Sequence, residues 1–179
     1  MLHEKSSELR AFGAGIYLWH NGLRVLEGLD TLNEVLEGTH TPPAYETWMH
    51  NKSVSKETFN GLPWRIMTRR HLHDPLVNRA RTVGVELRTN SEAVSADPEG
   101  RLTLQTGEVL EADLIVGADG VTSKVRDSIG FEQERWGSTD GIIRLIVPRL
   151  KDKLGYGEWD NTIDMWNHWP RVQRILYSP

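Results

Sequence analysis

The sequence predicts an α/β fold that passes into antiparallel β structure toward its C-terminal end. Three observations carry this. Leucines recur at helical spacing between residues 23 and 36, and apolar positions recur every four residues at Leu72, Leu76 and Ala80. The run Asp113-Leu114-Ile115-Val116-Gly117-Ala118 is short and continuously apolar, the pattern of a strand buried on both faces of a parallel sheet. The last quarter alternates strand-like segments with loops and holds four of the seven tryptophans, Trp136, Trp159, Trp166 and Trp169.

At 179 residues the chain can bury a sizeable core but hardly two complete domains. Its 21 basic and 25 acidic side chains give a formal charge of −4, with no basic excess to neutralise phosphates, so nucleic acid is not expected as a partner. Cysteine is absent, which excludes disulfide scaffolds, thiolate catalysis, Cys-based zinc sites and iron–sulfur clusters. No apolar run reaches the roughly 18 residues of a membrane span, and the first ten residues lack a signal peptide's apolar core. A cytoplasmic protein, with no membrane partner, is the expectation.

In order along the chain, His20 or Asn21 opens a helix through Leu23, Leu26 and Leu29. Leu32 and Leu36 continue it after a break at Asp30-Thr31. Gly38 to Pro43 reads as a loop, and from Ala44 to Pro63 only weak strand signals appear around Trp48, Val54 and Phe59. Thr68 to Arg81 reads as a helix interrupted by Pro75: either it kinks there, or it starts late with Asp74 as N-cap and Pro75 at the first helical position. Strands around Val83–Thr89, Ala93–Ala96 and Leu102–Leu104 follow, punctuated by the turns Asp97-Pro98-Glu99-Gly100 and Thr106-Gly107-Glu108. Ser123 is the expected N-cap of a short helix through Ile129. Gly141 to Pro148 reads as a strand, then a loop around Gly155-Tyr156-Gly157, then two more strands. The boundary is placed near Trp136 to Asp140, giving regions 1–138 and 139–179.

The corner Gly117-Ala118-Asp119-Gly120 joins the apolar run to the short helix. Carboxyl ends of strands in open α/β sheets form ligand crevices. Gly120 lets the backbone turn sharply, and Asp119 can accept hydrogen bonds either from ribose hydroxyls or from the helix's own N–H groups. His71 and His73 lie on different helix faces without a third ligand at metal spacing, so no metal site is expected. Ser123 has no His/Asp partner that would make it a nucleophile.

Three stretches, in order, resemble one family. Glu4 to Ile16 with Asn21 and Leu23-Arg24-Val25-Leu26, then Thr68 to Leu76, then Gly117 to Arg126, are similar to the flavoprotein aromatic hydroxylases. These are single-component FAD-dependent monooxygenases built like para-hydroxybenzoate and salicylate hydroxylases. The resemblance covers roughly residues 4 to 150. It implies a partial FAD-binding Rossmann-like domain followed by the start of an antiparallel β substrate domain. It implies FAD as cofactor, NAD(P)H as co-substrate, and O2 with a small aromatic substrate as reactants. The family's GxGxxG unit and its later Gly-Asp motif are both absent from these residues, so the expectation is a central piece of a longer enzyme, lacking N- and C-terminal segments.

Residue by residue, the resemblance places Glu4 on the adenosine ribose of FAD, with Lys5 where the family often has arginine. Arg10 and Arg69 match arginines along the ribityl and phosphate region, and Gly15 lies in a loop passing the flavin ring. Val94 matches a strand position whose backbone meets the cofactor. Asp119, Gly120 and Arg126 belong to the motif tied to FAD and NAD(P)H, and Glu4, Arg69 and Asp119 are expected to line one trough. Tyr17 follows as the candidate catalytic residue, either hydrogen-bonding a phenolic substrate or packing. A non-catalytic relative of the same fold, a halogenase and a ubiquinone-linked hydroxylase are the other readings.

Overall fold

The computed structural model describes residues 1–11, 15–39, 41, 44–49, 52–58, 64–131, 133, 134, 136 and 137, together with two strands at 163–168 and 173–177. In chain order these form β1 (Leu2–His3), β2 (Gly15–Trp19), α1 (His20–Gly28), α2 (Leu32–Leu36), β3 (Ala44–Met49), β4 (Lys52–Thr58) and β5 (Trp64–Thr68). Then come α3 (Arg69–Thr82), β6 (Leu87–Arg88), β7 (Ala93–Ala96), β8 (Arg101–Leu104), β9 (Val109–Glu111), α4 (Lys124–Ser128), β10 (Ile163–His168) and β11 (Gln173–Tyr177). The chain divides into two compact units: Met1–Arg10 with Ala80–Ile142, and Ala11–Arg79 with Ile143–Pro179. The expected boundary near residue 138, the strand Gly141–Pro148 and the loop at Gly155 lie outside the described residues.

In the first unit β1 and β6 pair in parallel, Leu2 opposite Leu87 and His3 opposite Arg88. Gly84, at φ +80°, closes α3: its N–H donates to Arg81 O and that of Val85 to Ala80 O. β7, β8 and β9 form an antiparallel meander through the two expected turns. Gly100 is required twice over. Its φ is +89°, and an added Cβ would collide with the Ala112 carbonyl oxygen. Gly100→Ala is expected to destabilise the protein by at least about 2 kcal/mol, read as a lower midpoint in thermal or urea unfolding.

The run Asp113–Ala118 differs from expectation. No described strand pairs with it, and Leu114 and Val116 are 78% and 76% exposed. A continuous apolar strand needs a hydrogen-bonding neighbour and cover on both faces. Here the described packing comes at Gly117, where a Cβ would press on Val125 of α4 (2.9 Å).

In the second unit β2 and β5 form an antiparallel ribbon, Gly15 opposite Thr68 and Tyr17 opposite Ile66. Alternation along β2 sends Ile16 and Leu18 toward one face, where they pack on the core of Leu26, Val35 and Met67 with Leu32, Leu72 and Leu76. Leu23 and Leu26 are buried on α1 as expected, whereas Leu29 falls just past its end and is exposed; the break falls where expected, Asp30 taking φ +56° between α1 and α2. Helix α3 is continuous from Arg69 to Thr82 with a buried Pro75 inside it, so it does not start late at Asp74. A four-stranded sheet in the order β11-β10-β3-β4 completes this unit. The β11–β10 and β3–β4 pairs are antiparallel, while β10 and β3 are parallel. The C-terminal antiparallel hairpin is thus joined by two strands from the weakly patterned residues 44–58.

Candidate functional site

Three candidates meet at one end of the β2–β5 ribbon. Gly15 opens β2 directly opposite Thr68, the residue before Arg69, and Tyr17 follows on the same face as Gly15. An added Cβ at Gly15 would meet Met67 O at 3.6 Å, ordinary contact, so nothing in this unit demands glycine there. Thr68 starts α3: its hydroxyl accepts from His71 N–H (3.5 Å) and bonds His71 Nδ1 (2.7 Å). His71 Nε2 lies against Gly38, where a Cβ would sit 3.1 Å away. This half-buried histidine locks the helix start beside Arg69.

Arg69 is exposed at the first position of the 14-residue α3 and makes no ion pair with a described residue. The other two candidate arginines are engaged. Arg10 is exposed and donates to Glu8 (2.6 Å). Arg126 donates to Asp127 (2.9 Å) and to the Val121 carbonyl (3.2 Å), bracing its own turn. Arg69 has no carboxylate partner among the described residues, so its guanidinium stays open to an anion such as phosphate.

Tyr17 is 36% exposed, its ring tilted by 36° over Trp64 with centroids 6.1 Å apart. Trp64 is itself buried and stacks on Trp19 (5.3 Å, 18°). Tyr17 therefore both packs and shows an edge to the outside. Trp64 and Trp19 escaped the sequence reading because the strand Trp64–Thr68 abuts a helix and lacks polar alternation; the signal was the β-favouring Trp-Arg-Ile-Met-Thr run itself.

In the first unit Asp119, Gly120 and Arg126 share one corner. Gly120 takes φ +82° with open space around it. The Asp119 carboxylate caps α4: it accepts from the Ser123 hydroxyl, from Lys124 N–H (2.6 Å) and from Val125 N–H (3.2 Å). Ser123 Oγ in turn accepts from Arg126 N–H (3.1 Å), as expected of an N-cap. Of the roughly four acceptor positions on a carboxylate, three are used by the helix. Partial burial raises the Asp119 pKa, but the hydrogen bonds from Ser123, Val125 and Lys124 outweigh it and the value lies below the ordinary one. A depressed carboxylate stabilises above the unfolded-state pKa and loses that effect as pH falls through the folded value. Asp119→Ala is expected to cost about 0.5–2 kcal/mol of local stability at neutral pH, measured as faster amide exchange in α4, and to cost less once acid protonates the wild-type carboxyl.

Glu4 follows β1, its N–H donating to Arg88 O (2.8 Å) and its carbonyl accepting from Ser91 N–H (2.9 Å). Its carboxylate accepts from Ser6 N–H (2.8 Å), which, against the opposing effect of burial, holds its pKa below the ordinary value. Lys5, next to it, is exposed, as is Val94 in β7. Glu4, Lys5, Arg10, Val94, Asp119, Gly120 and Arg126 belong to the first unit, and Gly15, Tyr17 and Arg69 to the second. By donor chemistry, the first unit offers a carboxylate held by Ser6 and an open glycine corner, and the second offers a guanidinium with no ion pair to a described residue. No group of three or more His, Asp or Glu among the described residues could hold a metal ion, and no helix among them is long and apolar enough to cross a membrane.

Comparison with known proteins places the chain in a family. The family model for the FAD binding domain matches residues 5–159. The protein of Rhodococcus erythropolis named "Probable 2-heptyl-3-hydroxy-4(1H)-quinolone synthase AqdB2" is 37% identical over 99% of this chain and 47% of its own length. The 3-amino-4-hydroxybenzoate 2-monooxygenase of Streptomyces cremeus is 33% identical over 81% of this chain and 39% of its own. The solved tetrameric form of 2-methyl-3-hydroxypyridine-5-carboxylic acid oxygenase superposes with a TM-score of 0.93 and 80% identity, over 99% of this chain and 48% of that one. The chain spans about half the length of the relatives it matches. By its helix-and-sheet fold, its ordered motifs and a match over most of its length, this chain belongs to the FAD binding domain family, whose members include flavin-dependent aromatic monooxygenases.

Proposed function

We propose that the chain is the central part of an FAD-dependent monooxygenase that uses NAD(P)H and O2 to hydroxylate a small aromatic acid in the cytoplasm, and that flanking N- and C-terminal segments complete it. The 80% identity to an oxygenase named for 2-methyl-3-hydroxypyridine-5-carboxylic acid favours a hydroxypyridine carboxylate as substrate. The single observation that carries the reading is the meeting of Gly15, Tyr17 and Arg69, which makes no ion pair with a described residue, at one end of the β2–β5 ribbon, from positions over fifty residues apart in sequence.

In this reading Glu4 accepts hydrogen bonds from the adenosine ribose, with Lys5 adding charge beside it. Arg69, with Arg10, offsets phosphate charge. Gly15 and the backbone at Val94 lie against the cofactor, and Asp119, Gly120 and Arg126 shape the corner where it rests. Tyr17 turns its hydroxyl toward the substrate while Trp64 holds its ring. Bound FAD would supply the redox chemistry; the protein orients the substrate and keeps water out. The regions 1–138 and 139–179 serve as partial FAD-binding and partial substrate-binding domains.

The test uses the intact protein that contains this chain. It is expected to purify yellow and to oxidise NAD(P)H faster when 2-methyl-3-hydroxypyridine-5-carboxylic acid is added, with uptake of O2. A colourless protein that takes up no FAD would overturn the monooxygenase reading. A flavoprotein that responds to another aromatic acid would overturn the substrate assignment alone.

A further inference from the structure

Glu4 is held by contacts that reach far beyond its own turn. The β1–β6 ladder beside it is only two residues long, too short to fix the chain that follows. Past the ladder three more backbone hydrogen bonds bridge the same segments: Glu4 N–H to Arg88 O (2.8 Å), Ser91 N–H to Glu4 O (2.9 Å) and Asn90 N–H to Ser6 O (3.0 Å). Asn90 can make its bond because it takes φ +50°, a conformation asparagine tolerates better than most residues. Ser91 is buried, so its hydroxyl needs a partner, and it finds His3 Nδ1 at 2.7 Å across 88 residues of sequence. His3 precedes Glu4, and Ser91 bonds the Glu4 carbonyl. The carboxylate accepts from Ser6 N–H, has the Ser6 hydroxyl and Lys5 N–H as further local donors, and keeps its remaining acceptor capacity for a ligand.

We propose that His3, Asn90 and Ser91 are positioning residues that aim the Glu4 carboxylate at a vicinal ribose diol, and so set a preference for an adenine dinucleotide flavin over a mononucleotide one. The inference rests on the reading of Glu4 as the ribose acid. An adenosine ribose is present in FAD and missing from FMN, so the clamp acts on one and not the other. Loss of one hydrogen bond that orients a charged group corresponds to about a tenfold change in affinity.

The experiment measures FAD and FMN binding to the intact apoprotein by flavin fluorescence, for wild type, Ser91→Ala, His3→Leu, the double variant, Glu4→Ala, and Ser91→Ala in the Glu4→Ala background. The expected result is about tenfold weaker FAD binding for Ser91→Ala and for His3→Leu, unchanged FMN binding, and a double variant no worse than either single one. The Ser91→Ala effect should vanish when Glu4 is already alanine. Equal loss of FAD and FMN, or a Ser91→Ala effect that persists without Glu4, would show a merely structural bond and overturn the inference. If Glu4→Ala leaves the ratio of FAD to FMN affinity unchanged, the ribose assignment of Glu4 itself fails, and the clamp with it.

Discussion

Replacing Trp64 by alanine is expected to be among the most damaging single changes in the chain, at about 3–5 kcal/mol, the usual cost of emptying a buried tryptophan site. Trp64 is 2% exposed in a two-stranded ribbon. It carries two aromatic neighbours on β2, stacked Trp19 and tilted Tyr17, and such ring pairs add to area burial. Neither neighbour can follow into the void, because Ile16 and Leu18 pin β2 on its other face to the Leu26–Val35–Met67 core. Equilibrium urea unfolding checks the magnitude. Trp64→Phe should recover much of the loss, since it keeps a ring under Tyr17. The pair of variants also separates two roles for Tyr17. If Tyr17→Phe leaves stability unchanged but lowers turnover of the intact enzyme, its hydroxyl works on substrate. If turnover is unchanged, Tyr17 is only a lid over Trp64.

The second large effect is expected at Arg69. Arg69→Ala in the intact protein should weaken FAD binding by about 10- to 100-fold, the range for losing a charge-assisted contact to phosphate. The change should leave folding nearly untouched, because the side chain is exposed and makes no ion pair with a described residue. Arg69→Lys should restore only part of the affinity, since an ammonium lacks the planar fork. Arg70→Ala, one residue on and also exposed, is the control. Equilibrium titration followed by flavin fluorescence provides the readout, and unchanged affinity in Arg69→Ala would remove this residue from the cofactor site.

How much of this could be read beforehand follows the range of each interaction. The helices α1 and α2 were legible because Leu23, Leu26, Leu32 and Leu36 are spaced by the helix itself, and because Asp30-Thr31 breaks them locally. The hairpin turns at Asp97–Gly100 and Thr106–Glu108 were legible for the same reason: glycines at φ +89° and +86° satisfy a local geometric need. What escaped was set at a distance. The parallel pairing of β3 with β10 joins residues more than a hundred apart, and no local pattern marks it. Pro75 was ambiguous because burial of its ring in α3, a tertiary effect, decided in favour of a continuous helix. At the site, the Ser123 cap was foreseen, whereas the double use of Asp119 was left open. Its carboxylate turned to the α4 N–H groups because they are the nearest donors. Glu4 was named, yet the histidine and serine that hold it were not, since they lie 88 residues apart.

The pairing of β3 with β4 contains an irregularity at Thr47/Trp48: Ala44 to Thr47 face Thr58 to Ser55, but Trp48 faces Ser53, so Val54 is left over. β4 is the outermost strand on its side of the described sheet, and all seven of its residues are exposed. An outer strand with unused peptide groups invites a stranger's strand to dock. Here the surplus residue bends the rim out of line, and an arriving strand would have to dehydrate Lys52 and Lys56. This side of the described sheet thereby resists growth by accretion, a safeguard against clumping while the rest of the molecule is still assembling.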